Sequence, residues 1–164
     1  MQPRIEYPSV DPKALQTLLK QEQYTDGCGL EQSLLDLVKV RASQINHCVF
    51  CLDMHVKDAR ASGETEQRLY SLDAWRETPF YSERERAALA WTEAVTVLTN
   101  GFVPDEVYEV VREQFTEQEI ISLTMAVIAI NGWNRINVSL RTVAGRYQSQ
   151  RKPETVLTAA SGND

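Results

Sequence analysis

Apolar residues recur every three or four positions along most of this chain, the spacing that places them on one face of an α-helix. The pattern predicts a first helix over residues 11–23 and a second over residues 30–44, with Lys39 and Arg41 on the outside of the second. After a short turn, a third helix is predicted over residues 47–62. No segment alternates apolar and polar residues with the period of two that is typical of a strand. The chain is therefore predicted to be all-α, a compact helical bundle.

Two capping boxes mark helix starts in the second half of the chain. In a capping box, a Ser or Thr and a Glu three residues later each satisfy one of the free backbone amides of the first turn. The pattern occurs at residues 82–85 and 116–119, and it predicts a helix over residues 82–99, stopped at Asn100, and a long last helix. A shorter helix over residues 64–72 precedes them, and Pro104 begins one between them.

The last helix contains an apolar run over residues 120–130 that is shorter than the ~20 residues needed to span a bilayer. A helix that is apolar on nearly every side belongs at the centre of a core, or has a face in a subunit contact. The run continues into Asn131-Gly132-Trp133-Asn134-Arg135-Ile136-Asn137. Asparagine and glycine are unfavourable inside a helix. They therefore predict a structural role, in which asparagines cap other backbone groups or Arg135 pairs with an acid.

The length of 164 residues predicts one domain, large enough to bury a core without disulfide or metal cross-links. This domain is predicted over residues 1–150. Residues 151–164 have little to bury and are expected to form a disordered tail.

Composition excludes several classes of partner. The net charge is −6 and no dense Lys/Arg block occurs, which argues against nucleic-acid binding. The first residues form no apolar signal segment and no run is long enough for a membrane span, so we expect a cytoplasmic protein. Three cysteines are an odd number for a secreted disulfide framework. Cys28 lies in a turn-like stretch and is expected to be an incidental free thiol.

Cys48, Cys51 and His55 are the residues that carry candidate chemistry. Positions three, four and seven apart are helical neighbours, so these side chains fall on one helix face. Two thiols and an imidazole can exchange two electrons while the imidazole moves the proton. A CxxC pair in a reducing compartment is more often catalytic or metal-binding than structural. The pattern therefore indicates thiol redox chemistry.

Asp36 is predicted to complete this site from the preceding helix. If the two helices form an antiparallel hairpin, Asp36 lies roughly 12 Å from its end and His55 roughly 10 Å from Cys48, at about 1.5 Å per residue. The carboxylate would orient the imidazole, which would draw the proton from a thiol. The helix dipole favours a thiolate at Cys48, but the nearby base favours Cys51 as the attacking thiol. Cys48 would then close the disulfide on the sulfenic acid.

Two other interpretations of these residues stay open. Cys48, Cys51 and His55 provide three zinc ligands, with Asp36 or His47 as a fourth, but no second Cys/His pair completes the usual set. Alternatively, the cysteines belong to the core beside a satisfied histidine. His47 is more simply a turn residue than a catalytic one.

Residues 35–55, LDLVKVRASQINHCVFCLDMH, resemble the signature of the alkylhydroperoxidase AhpD-like branch of the carboxymuconolactone decarboxylase superfamily. Residues 74–81, 84–91 and 131–135 resemble the same group. The resemblance extends over residues 15–147, most of the chain.

This resemblance implies an all-helical AhpD-like fold, a homo-oligomer that is a trimer or a hexamer, and a thiol-dependent peroxidase or disulfide reductase that needs no cofactor. It implies an antioxidant enzyme that reduces hydroperoxides, as peroxiredoxins do, and is recycled by a dithiol or a lipoyl-type protein. In the family pattern, Cys51 forms the sulfenic acid and Cys48 is its proton donor and disulfide partner. The family histidine falls on His55, and Asp36 stands where the family has glutamate.

A further difference is Phe50, where AhpD itself has a histidine within the CxxC. Two rival functions are considered: decarboxylation of a lactone carboxylate, for which the superfamily is named, and a non-catalytic protein whose disulfide changes subunit packing. The decarboxylation needs no redox pair, so the CxxC argues against it.

Overall fold

The structure is a computed structural model that describes residues 2–98 and 101–152. Within these ranges it contains α-helices, short 3-10 segments and no strand, which confirms the predicted all-α class. A 3-10 helix, Leu72–Glu77, follows the short helix predicted over residues 64–72. In chain order the α-helices are α1 (Tyr7–Val10), α2 (Pro12–Asp26), α3 (Gln32–Ile45), α4 (Val49–Ala61), α5 (Glu66–Ser71), α6 (Glu83–Thr96), α7 (Asp105–Gln114) and α8 (Glu117–Leu140).

Side-chain caps begin three of the long helices where the sequence predicts them. Asp11 accepts hydrogen bonds from two backbone amides in the first turn of α2. Both capping boxes form, with Ser82 and Glu85 at α6 and with Thr116 and Glu119 at α8. Each cap satisfies amides that have no partner within the helix. The predicted stop of α6 at Asn100 lies outside the described residues, and α6 ends earlier, at Thr96.

Helix α3 lies at the centre of the bundle, packed against α4, α6 and α8. The prediction that Lys39 faces outward is wrong, because only 1% of its surface is exposed. Its ammonium forms an ion pair with the Glu22 carboxylate of α2, and Asp26 lies 3.8 Å away. A lysine can be buried when its charge is paired in this way. Arg41 is also partly buried, and it binds Glu93 of α6.

Helix α8 contacts α2, α3, α4, α6 and α7, the central position predicted for it. Its sides differ in burial: Leu123, Val127 and Ile130 are buried in the core, whereas Ile121 and Ile128 are exposed. None of the described helices has the length and hydropathy that crossing a membrane requires.

The segment after α8 packs across α4, and we refer to residues 143–151 as the C-terminal strap. Arg151, the first residue of the predicted tail, is fixed because its guanidinium binds Asp36. Residues 153–164 lie outside the described residues, so the disordered tail remains a prediction for them.

Candidate functional site

The turn between α3 and α4 sets the position of the first cysteine. The amide of Cys48 donates to the Ser43 carbonyl and that of His47 to the Gln44 carbonyl, which is the Schellman pattern at a helix end. His47 has a φ of 53°, in the left-handed region that this motif requires. The structure therefore places His47 in the turn, as predicted, and turns the chain so that Cys48 begins α4.

Cys48 is the N-cap residue of α4 and Cys51 lies in its first turn, and a disulfide joins them with 5.3 Å between their Cα atoms. The Cys48 sulfur also accepts the amide of Cys51, at 3.3 Å. Both side chains are buried. A helix N-terminus stabilises a negative charge, so this position favours the thiolate form once the disulfide is opened.

Asn137 of α8 contacts the second cysteine, which the sequence analysis missed. Its side-chain amide lies 3.7 Å from the Cys51 sulfur and also donates to the Trp133 carbonyl, at 2.8 Å. The Tyr7 hydroxyl donates to its oxygen at 3.3 Å. The sequence signal for this contact was the spacing of the asparagines: Asn137 follows Asn134 by three residues, which keeps both on one helix face.

The other asparagines form a hydrogen-bonded group, here called the asparagine cluster: Asn46, Asn131 and Asn134 with Ser43. The Asn46 amide donates to the side-chain oxygens of Asn131, at 2.9 Å, and Asn134, at 3.0 Å. Asn134 in turn donates to the Ser43 hydroxyl at 3.0 Å. The predicted structural role is confirmed for these residues. The alternative that Arg135 pairs with an acid is wrong, because Arg135 donates to the Asn131 side chain at 2.6 Å.

His55 lies one turn beyond Cys51 on α4, with 4% of its surface exposed. Neither ring nitrogen has a hydrogen-bond partner among residues 2–98 and 101–152. Burial lowers the pKa of His55 to about 3, helped by the positive charges of Lys39 and Arg151. At neutral pH the ring is therefore uncharged, the form that accepts a proton.

Asp36 is buried on α3 and does not form the hydrogen bond to His55 that we predicted. Instead, both of its oxygens accept from Arg151, at 2.7 and 2.9 Å, and one also accepts from Gln32 at 2.9 Å. Burial raises the pKa of Asp36, and the contacts with Arg151 and Gln32 act in the opposite direction. Cys48, Cys51 and His55 thus lie along one face of α4. The fourth predicted site residue, Asp36, is bound by Arg151, which lies 115 residues later in the sequence.

Two cavities reach the site from different sides. Cys48 lines a small one of about 130 Å³, together with Phe50, Asn137 and Arg141. Asp36 lines a larger one of about 390 Å³ between α3 and the end of α4. Cys51 lines neither cavity, so a reagent entering the small cavity reaches the Cys48 sulfur first.

Metal ligation was one of the alternatives for these residues. Within the part of the chain that the structure describes, no three His, Cys, Asp or Glu side chains form a group that could hold a metal ion. The zinc alternative requires both sulfurs as thiolate ligands, and here they are bonded to one another.

Comparison with known proteins places this chain among relatives of the same fold. It is 41% identical over 140 residues to the uncharacterized protein YdfG of Bacillus subtilis, covering 85% of this chain and 95% of YdfG. It is 42% identical to the Agrobacterium tumefaciens protein ATU0492, a protein of unknown function and a candidate antioxidant defence protein AhpD. That structure superposes with a TM-score of 0.86, over 89% of this chain and all of the other.

A more distant structure shows the same fold. The alkylhydroperoxidase AhpD core protein from Ralstonia eutropha, an uncharacterized peroxidase-related protein, has a TM-score of 0.74 at 17% identity, over 88% of this chain and 77% of the other. The sequence model of the carboxymuconolactone decarboxylase family matches residues 12–94, which include the whole α3–α4 hairpin with both cysteines. The chain therefore belongs to the carboxymuconolactone decarboxylase family, in its AhpD-like branch.

Proposed function

We propose that this protein is a thiol-dependent peroxidase of the AhpD-like type, which reduces hydroperoxides and opens and closes the Cys48–Cys51 disulfide in each cycle. The observation that supports this most directly is the disulfide itself, formed at the start of α4 with an uncharged His55 one turn away. The likeness to ATU0492, a candidate antioxidant defence protein, agrees with this assignment.

The first step is the attack of the Cys51 thiolate on a peroxide oxygen. The S–O bond forms as the O–O bond breaks, so the sulfur is oxidised to sulfenic acid and the peroxide leaves as an alkoxide, which takes up a proton to give the alcohol. His55 takes the thiol proton beforehand and supplies a proton to the alkoxide. The Asn137 amide, 3.7 Å from the Cys51 sulfur, adds a hydrogen-bond donor to the charged form of this thiol.

The second step is the attack of Cys48 on the sulfenic acid, which releases water and closes the disulfide. An external dithiol then reopens it by thiol–disulfide exchange, and its two sulfurs leave as a disulfide. Because Cys48 lines the small cavity and Cys51 does not, the incoming thiolate attacks Cys48 and leaves Cys51 as the departing thiolate. Each cycle therefore begins again with the negative charge on the peroxide-reactive sulfur.

Partners and assembly are part of the proposal. We expect a dithiol or a lipoyl-type protein as the reductant, no bound cofactor, a cytoplasmic location, and a homo-oligomer that is a trimer or a hexamer. The exposed Ile121 and Ile128 on α8 provide an apolar face for such a subunit contact. Light scattering of the purified protein measures its oligomeric state.

The function is tested by hydroperoxide turnover with a dithiol donor. We expect Cys51→Ser to reduce the steady-state rate at least a hundredfold, because it removes the attacking sulfur. Cys48→Ser is expected to stop turnover after one sulfenic acid per chain. Cys28→Ser is the matched control, since Cys28 is free and packs against the core away from the disulfide. Peroxide turnover by Cys51→Ser at the wild-type rate would reject the proposal.

The same preparations separate the two rival functions. A decarboxylase would release carbon dioxide from a lactone carboxylate, and would do so in Cys51→Ser as well, because that reaction needs no redox pair. A non-catalytic redox-responsive protein would form the disulfide with peroxide but show no steady-state rate when dithiol is added.

A further inference from the structure

The C-terminal strap is fastened to aspartates along and beside α4. The Gly145 amide donates to the Asp53 carboxylate at 3.0 Å, and the Tyr147 hydroxyl donates to the Asp58 carboxylate at 2.8 Å. Burial and the Asp58 carboxylate raise the pKa of Tyr147 to about 12, so this hydroxyl keeps the proton that it donates. These hydrogen bonds fix the position of the strap across α4, the helix that carries the disulfide and His55.

The last anchor of the strap is inside the candidate site. One guanidinium nitrogen of Arg151 lies 2.7 and 2.9 Å from the two oxygens of Asp36, and Asp36 is 2% exposed. The Gln32 side-chain amide donates a hydrogen bond to one of the same oxygens. The carboxylate that a proton relay would use is therefore bound elsewhere, while both ring nitrogens of His55 have no partner in the described part of the chain.

We propose that Arg151 is a positioning residue of the redox site: while the strap is fastened, Arg151 keeps Asp36 from hydrogen-bonding to His55, and when the strap is released Asp36 becomes free to do so. The strap thereby determines whether His55 works alone or as part of an Asp36–His55 pair.

The other charged groups near His55 do not replace Arg151 in this role. Lys39 of α3 is held by Glu22 of α2, an ion pair inside the bundle that is independent of the strap. Asp58, on the same face of α4 as His55, accepts from Tyr147. Among these groups, Arg151 alone belongs to the strap and also binds the acid that His55 would need.

For catalysis, the inference rests on the proposed function: a neutral, unpaired His55 is a weak proton acceptor, and an Asp36 partner would stabilise the imidazolium that forms when Cys51 loses its proton. The positioning itself does not depend on peroxide chemistry. It can be tested in the oxidised protein, so its failure and the failure of the peroxidase assay are separate results.

The test is an NMR titration of the histidine rings. The chain has two histidines, and the exposed His47 gives a second signal that is assigned by a His47→Gln variant. Between about pH 8 and about pH 4.5, we expect the ring of wild-type His55 to stay neutral. Arg151→Gln is expected to bring its protonation into this range, a gain of about thirtyfold or more in proton affinity over a pKa of about 3.

Three further variants make the result specific. Arg151→Lys keeps a cation beside Asp36 and should restore the wild-type behaviour. Lys152→Gln removes the neighbouring exposed charge and should change nothing. In Arg151→Gln combined with Asp36→Asn, the gain should shrink to the part that comes from the lost positive charge, because the asparagine cannot stabilise the imidazolium. Circular dichroism verifies that each variant is folded.

Two results would overturn the inference. If folded Arg151→Gln leaves His55 neutral over the whole range, Arg151 only fastens the end of the chain. If the double variant shows the same gain as Arg151→Gln alone, the gain comes from the lost positive charge and no competition for Asp36 exists.

Discussion

The two polar regions that flank the disulfide are built in opposite ways. On one side, the asparagine cluster joins the α3–α4 turn to α8, and each of its three amides donates to an oxygen of another residue. On the other side, His55 is as deeply buried, but its ring has no protein partner among the described residues. Buried polar groups that are fully paired fix a structure, whereas one that is unpaired is free to exchange a proton.

The difference has an energetic side. A buried polar group without a partner costs roughly 1–3 kcal/mol, a cost that proteins accept mainly at functional sites. The asparagine cluster has no such cost, and its bonds hold the turn that positions Cys48. The asparagine cluster thus stabilises the site, whereas the unpaired His55 lowers the stability of the fold and leaves a ring that can accept a proton.

Breaking the asparagine cluster is expected to have the largest effect on stability. Asn134→Ala should lower the free energy of unfolding by about 2–4 kcal/mol, because it removes two side-chain hydrogen bonds, one from Asn46 and one to Ser43, at a fully buried position. Urea denaturation measures this value. Ser139→Ala, at an exposed position on the same helix, is the control and should change it by less than about 0.5 kcal/mol. An equally small loss in Asn134→Ala would contradict the structural role of the cluster.

The buried, unpaired His55 is expected to make the free energy of unfolding depend on pH. In the unfolded chain His55 binds a proton near pH 6.5, but in the folded protein only near pH 3, so acid favours unfolding between these values. The slope amounts to at most about 1.4 kcal/mol per pH unit. Protonation of Asp36 changes the stability in the opposite direction, because burial raises its pKa. This contribution is the same in the wild type and in His55→Leu.

The measurement is therefore a difference between two oxidised proteins. His55→Leu should lack the acid-dependent loss of stability that the wild type shows between pH 6.5 and about 3. Urea denaturation at a series of pH values gives both curves. Parallel curves would mean that His55 is protonated equally in the folded and unfolded states, and that the buried ring is not held neutral by the fold.

The smallest expected effect concerns the turn itself. His47 has a φ of 53°, so His47→Gly should relieve strain and raise the free energy of unfolding by about 0.5–1 kcal/mol. Gly63 ends α4 in the same kind of motif with a φ of 106°. Gly63→Ala should therefore act in the opposite direction, and thermal unfolding of both variants tests the pair. A loss of stability in His47→Gly would show that the histidine side chain has a role beyond the turn.

Much of the fold could be predicted because its signals are local. The capping boxes at Ser82 and Thr116 fix helix starts within a few residues, and Gly63 ends α4 where predicted. The face that joins Cys48, Cys51 and His55 also follows from spacing along one helix. Local rules of this kind need no knowledge of tertiary contacts.

The remaining features depend on contacts between distant parts of the chain. The burial of Lys39 requires Glu22 from another helix, and the state of Asp36 requires Arg151, which the composition of the tail suggested was free. Asn137 was interpreted as structural because its contact with Cys51 joins residues 86 positions apart. Periodicity gives the faces of a helix, but not the partner that packs on each face.

Whether the two sulfurs reduce a hydroperoxide together can be decided in a single turnover. The reduced protein is mixed with one equivalent of tert-butyl hydroperoxide, without dithiol, and thiols, alcohol and cysteine peptides are quantified. We expect two thiols to be lost for each alcohol formed, with Cys48 and Cys51 recovered as one disulfide-linked peptide. Intact peroxide alongside fully titratable thiols would rule out this chemistry.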